Sequence, residues 1–194
     1  MNKRSLAISL MVLTMVFLYS SCTKKSEYQN LVEAELATNV RKDSLYLGIS
    51  LQMGSKEFFV HCWDMNKQGT LTNGVGNQIK YDASEYFKKN TSMHFYPKFV
   101  DGKIFEMPVE FKYDDWALWN EELSVENLME EVIDVLESWY GDGFIKMVNE
   151  DETKTVWVKV DGNRRIRVYR QSVSSVAVVF TDLIKLNEIN SEKS

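Results

Sequence analysis

The sequence predicts an α+β fold with helices packed on antiparallel sheet, and three stretches carry that prediction. Ser124 is a natural N-cap, and after it Val125, Leu128, Met129, Val132, Ile133, Leu136, Trp139 and Tyr140 fall on one side at helical spacing. Ile104 to Tyr113 alternates instead: Phe105, Met107, Val109, Phe111 and Tyr113 oppose Ile104, Glu106, Pro108, Glu110 and Lys112, one face apolar and the other mostly polar. Thr155 to Val160 and Arg165 to Arg170 are strand-like runs joined across Asp161-Gly162-Asn163, a hairpin signal. A helix followed by antiparallel strands occurs in each half, which implies helices covering one face of each sheet.

Taken in order, Asn30 to Asp43 spaces Leu31, Val32, Leu36 and Val40 as a short helix. Leu45 to Leu51 is a strand or an extended lead-in. Gly54-Ser55 opens a second helix, with Ser55 as N-cap and Glu57 in the first turn, where a carboxylate favours the helix dipole. Phe58, Phe59, Cys62 and Trp63 form its expected buried face, and Gly69 ends it. Asn73-Gly74 and Gly76-Asn77 are turns, followed by extended stretches at Gln78 to Asp82 and Met93 to Phe99. Pro108 donates no ladder hydrogen bond, so the Ile104 strand is expected at an edge or bulged. Gly141-Asp142-Gly143 stops the long helix. Phe144 to Val148 and Val173 to Thr181 add strands, and Asp182 to Ser194 is a polar, weakly helical tail.

The amino terminus follows a different logic. Met1-Asn2-Lys3-Arg4 is basic, Leu6 to Leu18 is apolar apart from Ser9 and Thr14, and Ser20-Ser21-Cys22 follows. That order describes a secretory signal peptide, residues 1–21. Its 13-residue apolar stretch is shorter than the roughly 20 residues that span a bilayer as a helix. Small Ser20 and Ser21 before Cys22 resemble a bacterial lipobox, although Tyr19 replaces the usual leucine or valine. The resemblance implies that Cys22 is lipidated and holds the chain on a membrane, with 22–29 as a tether and 30–190 as a single domain. Halves at 30–120 and 121–190 are the alternative division. Thr23 is not the aspartate of the enterobacterial inner-membrane pattern, which points to the outer membrane and the periplasm.

Removing residues 1–21 takes away Lys3 and Arg4 and moves the formal charge from −5 to −7. A surface this acidic argues against nucleic acid as a partner, because phosphate binding needs a basic face. The remaining 173 residues bury about 70% of their unfolded surface in one core. With Cys22 committed to lipid, Cys62 is left alone, so packing rather than a disulfide holds the fold.

Chemistry-bearing groups are sparse. Glu57, His61 and Asp64 share a helix face that His94 could join, but two histidines without a second metal motif favour a solvated polar face, and neither metal nor cofactor is expected. No Gly-x-Ser-x-Gly elbow occurs, and Cys62 beside Phe58 and Trp63 is a buried, unreactive thiol. Asp114-Asp115 and Glu121-Glu122 read as loop and helix-start acids. These absences favour a non-enzymatic protein.

Two surfaces invite a binding role. If Val156, Val158, Val160, Ile166 and Val168 face the core, strand alternation puts Trp157, Lys159, Arg165, Arg167 and Tyr169 together as a cationic, aromatic-flanked face for a protein partner. Trp116 and Trp119, in Asp-Asp-Trp-Ala-Leu-Trp-Asn, offer an alternative contact for a glycan, or else serve as lids on the sheet.

Residues 48–58, Gly-Ile-Ser-Leu-Gln-Met-Gly-Ser-Lys-Glu-Phe, locally resemble the helix entry of BamE-like (SmpA/OmlA) envelope lipoproteins, with Gln52 and Gly54 in place of that motif's glycine and threonine. Phe-Phe-x-x-Cys-Trp, Trp-Tyr-Gly and Val-Asp-Gly-Asn-Arg-Arg-Ile resemble segments of uncharacterised bacterial lipoproteins, a likeness that assigns no activity. The resulting expectation is a lipid-anchored envelope protein that works through protein contacts in outer-membrane assembly or maintenance. The alternative is a carbohydrate-binding or glycan-processing lipoprotein.

Overall fold

Among the described residues nine antiparallel strands form one sheet, and the order of those strands explains why both halves of the sequence look alike. The computed structural model describes residues 26–149 and 154–192. The chain divides into two units, Met1–Ala34 and Glu35–Ser194. Helix α1, Glu27–Ala37, buries no residue and begins and ends before the predicted 30–43. Helix α2, Ser55–Lys67, leads to β1 (Leu71–Asn73), β2 (Ile79–Asp82), β3 (Thr91–Phe95), β4 (Lys98–Val100) and β5 (Lys103–Tyr113). Helix α3, Val125–Tyr140, leads to β6 (Ile145–Val148), β7 (Thr155–Asp161), β8 (Arg164–Arg170) and β9 (Val176–Asp182), and α4 (Leu183–Ser191) closes the described chain.

The sheet runs β1-β2-β3-β5-β9-β8-β7-β6, with β4 also paired to β5. Each half is therefore a helix and a meander, and the last strand of one meander pairs with the last strand of the other. The expected α+β architecture is the observed one. Helices α2 and α3 contribute Phe58, Cys62, Leu128, Val132 and Leu136 to the same core as Met93, Phe95, Met107, Phe111, Val178 and Phe180. Each such fully buried side chain contributes about 1.5–3 kcal/mol relative to an exposed one.

Helix α3 owes its clear sequence signal to good ends. Ser124 Oγ accepts from Asn127 N at 3.4 Å, and Gly141 at φ 79° ends the helix in a backbone region that glycine enters freely. Helix α2 differs from expectation. Gly54 rather than Ser55 precedes its first turn, and only Phe58 and Cys62 are buried, while Phe59 and Trp63 point outward at 49% and 62% exposure.

Of two further expectations, one holds only locally and the other fails. The Pro108 strand is interior, flanked by β3 and β4 on one side and by β9 on the other. Pro108 is tolerated because β3 pairs only up to Val109 and β4 only from Glu106, so the proline lies opposite the break between them. In the second-half hairpin, Asp161 pairs with Arg164 across a two-residue turn, with Gly162 at φ 57° in its first central position as in type II′ turns. The predicted faces assume a three-residue turn. One residue fewer slips the register, and every side chain of one strand changes sides relative to the other.

Buried polar groups pin the connecting segment to this hairpin. Asp182, 1% exposed, accepts from Arg41 Nη2 and Gln52 Nε2, each at 2.9 Å, and caps α4 through the amides of Ile184 and Lys185. Asn163, fully buried, accepts from Lys42 N and donates to Asp43 Oδ1. Arg164 pairs with Asp161 at 2.9 Å, donates to the Ser44 carbonyl and lies over the Tyr140 ring at 4.4 Å.

Replacing Asp182 leaves two donors and the α4 amides without their acceptor. Asp182→Ala is expected to lower stability by about 2–4 kcal/mol, the range for breaking a buried charge-assisted cluster. Equilibrium urea unfolding checks this, and a loss below about 1 kcal/mol would mean that the cluster does not hold the segment.

Candidate functional site

Strand alternation gives the sheet one helix-covered face and one face without helices, and ladder register decides which residues stand on each. Val168 pairs with Trp157 and Ile166 with Lys159, so Trp157 and Lys159 stand on the helix side beside core valine and isoleucine. Arg165, Arg167 and Tyr169 stand on the other side, opposite Val160, Val158 and Val156 in turn. The five residues expected to share one face are thus split, three against two. Lys159 donates instead to the Asp142 carbonyl, and Trp157 packs against the core with Lys146 over its ring at 5.8 Å.

The helix-free face has a definite layout. Its central column is Arg165, Arg167 and Tyr169 on β8, flanked by Val156, Val158 and Val160 on β7 and by Ala177, Val179 and Thr181 on β9. Beyond β9 stand Glu106, Pro108 and Glu110 on β5, and then His94 on β3 and Lys80 on β2. The flanking columns are largely closed to solvent, with Val158 at 2% and Val179 at 6% exposure. A cavity of about 340 Å³ lies on this face, lined by His94, Tyr96, Pro108, Glu110, Tyr169 and Val179 among others.

The two arginines differ in what holds them. Arg165 Nη2 donates to Thr181 Oγ1 at 3.3 Å, Thr181 donates on to Glu106 Oε2, and Glu106 also pairs with Lys98 at 2.7 Å. Arg167 is half-buried between Val158 and Val179, and its Nε is buried without a hydrogen-bond partner. Among the described residues Arg167 has no hydrogen bond or ion pair. Arg164 Nε is likewise buried without a partner, but the Nη atoms of Arg164 are bonded to Ser44 and Asp161, so Arg167 differs in having no bond from the rest of its guanidinium.

His94 completes the polar flank. Burial holds its pKa below the ordinary 6.5, and Lys112 and Lys80 add to the depression against the opposing pull of Glu110 and Asp114. Its Nε2 lies 3.1 Å from Ser92 Oγ. Sequence reading missed His94 as part of this face, although the alternation of β5 already grouped Glu106, Pro108, Glu110 and Lys112. The missing step was the pairing of β5 with β3 and β9.

Other sequence candidates are scattered. Cys22 lies outside the described residues. Trp116 is half-buried against the core, whereas Trp119 is 88% exposed, so the two do not form one platform or one lid. His61 Nε2 lies 2.7 Å from the Leu47 carbonyl, and no three metal-ligating side chains come together among the described residues. Burial pushes the Cys62 thiol up to about 11. Asp114 pairs with Lys80 at 3.5 Å and Glu122 with Lys89 at 2.6 Å.

No family model matches the chain. No curated protein matches it either. Among solved structures it is similar to a DUF4309 family protein (YjgB) from Bacillus subtilis subsp. subtilis str. 168, at 11% identity and a TM-score of 0.35, over 79% of this chain and 96% of that one. A likeness at that level carries no inference about fold or activity.

The pH response of His94 tests the electrostatics of this face. Its lowered pKa means that the unfolded chain binds a proton at higher pH than the native chain does, so its contribution to stability is present above about 6.5 and is lost as pH falls through the native value. An NMR titration of the ring is expected to show a midpoint below 6.5. A midpoint at 6.5 would mean that the ring faces water, and one above it that Glu110 and Asp114 outweigh burial.

Proposed function

We propose that this chain is a lipid-anchored cell-envelope protein, held by Cys22 at the outer membrane, that acts through protein contacts in membrane assembly or maintenance. The helix-free sheet face is its contact surface. The anchoring half of this reading draws on the basic head, the short apolar stretch and Ser20-Ser21-Cys22. Two or more long acyl chains hold a protein on a bilayer, whereas a single chain does so only marginally.

The contact half is supported chiefly by one observation, the unanswered guanidinium of Arg167 between two buried valines. A partner that brings a carboxylate to Arg167, with apolar atoms against Tyr96, Pro108 and Tyr169 of the neighbouring cavity, supplies forked charge-assisted hydrogen bonds beside an apolar surface. Interfaces combine such an arginine anchor with an apolar floor. The occupant of this face is therefore an acidic segment of another envelope protein. A second reading, sugar stacking, is favoured by the exposure of Trp119 alone, beside the 79% exposed Leu118.

Two variants test the two halves separately. Cys22→Ala is expected to leave the membrane fraction and keep its fold, and a mutant still bound after a high-salt wash contradicts lipid anchoring. Arg167→Met keeps the apolar stem and removes the charge, so thermal stability is expected to hold or rise while crosslinking of a protein partner in intact cells falls. Lost stability would make the arginine a folding residue. A bound glycan that disappears with Trp119→Ala, without any protein partner, would support the carbohydrate reading instead.

A further inference from the structure

Helix α2 carries apolar residues on two opposite sides: one is buried, and the other stays largely exposed apart from Phe59, whose ring meets Phe58 and Phe99. Phe58 and Cys62 enter the core. On the outward side Lys56, Phe59, Val60, Trp63 and Lys67 follow one another at i, i+3, i+4, i+7 and i+11, which places them within about 100° of the helix circumference. Phe59, Val60 and Trp63 are 49%, 53% and 62% exposed, so the stripe has a wet apolar centre with a lysine at each end. Lys67 lies over the Trp63 ring at 5.5 Å and also pairs with Asp64 at 3.1 Å. Glu57 and Asp64 sit together on one flank of the stripe and not within it.

This pattern differs from the sheet face. A protein contact of the kind argued for Arg167 has its charge inside an apolar setting, whereas here the charges bracket the apolar residues along the helix axis. That order matches the boundary of a bilayer, where aromatic rings enter the acyl region and lysine stems reach back to phosphate. We infer that the outward stripe of α2 lies in the phospholipid interface of the membrane to which the chain is tethered. The inference rests on lipid anchoring at Cys22.

The tether makes a small patch sufficient. Glu35 opens the larger unit thirteen residues after Cys22, and thirteen residues span at most about 45 Å even when fully extended. A domain held at that range meets the bilayer at high effective concentration, so three side chains that bind weakly from free solution stay engaged once the lipid is in place.

The test uses the full chain, purified with its native lipid and placed in phosphatidylethanolamine and phosphatidylglycerol nanodiscs with brominated acyl chains. Mass measurement of the Cys22 peptide is made on the same preparation. Tryptophan fluorescence is expected to be quenched, and Trp63→Phe is expected to lose the larger part of that quenching, while Trp119→Phe keeps it. Phe59→Ser with Val60→Ser, both at exposed positions, is expected to reduce the quenching without changing the fold. An unmodified Cys22 sinks the anchoring reading and this inference together. A lipidated Cys22 with equal quenching in wild type and Trp63→Phe, or with the stripe crosslinked to a protein, overturns this inference alone.

Discussion

The buried carboxylate of Asp182 ties together parts of the chain that sequence separates widely. It ends β9, caps α4, and receives Arg41 and Gln52 from the segment that leads into α2. Its ladder neighbour Arg164 reaches the same segment at Ser44 and stacks on Tyr140 of α3. Both helices and both meanders are thereby referred to one corner of the sheet. A hydrophobic core alone is non-directional and tolerates sliding. Charge-assisted hydrogen bonds around one carboxylate do not, and they set where the connecting segment crosses the strand ends.

The turn between β7 and β8 stands at that corner and decides the chemistry of the open face. Gly162 occupies a left-handed conformation, and a Cβ there would collide with the Val40 carbonyl, so the turn and the connecting segment fit each other. Asn163 belongs to the turn and to the buried polar cluster at once. Because the turn has two residues, Val158 faces outward beside Arg167, and Trp157 turns toward the helices. The apolar floor of the candidate site is thus a consequence of turn length.

Legibility in the sequence follows the range of the forces involved. The α3 helix, the β5 strand and both hairpin strands were readable because cap, period and turn residues are local signals. Register was not, since Asp161-Gly162-Asn163 fits turns of two or three residues and the choice depends on partners such as Val40 and Lys42. The interior position of Pro108 depended on where β3 breaks. For α2 the sequence shows Phe58, Phe59, Cys62 and Trp63 as one apolar cluster, and only the packed sheet separates the pair that enters the core from the pair that stays wet. Arg165 and Arg167 were recognisable as candidates by residue type, whereas their unequal environments arise from β9 and β5, remote in sequence.

Those unequal environments bear on why the open face is built as it is. Arg165 is tied to Thr181 and, through it, to Glu106, so it extends the polar edge already formed by β4 and β5. Arg167, one pleat further along, has valine on both sides and no hydrogen bond or ion pair among the described residues. An arginine without a bonded partner, on the sheet face that carries no helix, is the feature on which the proposed contact rests. The same reasoning applies to Phe59, Val60 and Trp63, whose exposure contributes nothing to the core beneath them. The two features call for different surroundings, an acidic apolar-flanked group at Arg167 and a lysine-bracketed lipid boundary at α2. The proposed arrangement, a bilayer tether together with a bound partner, is the one that would meet both requirements.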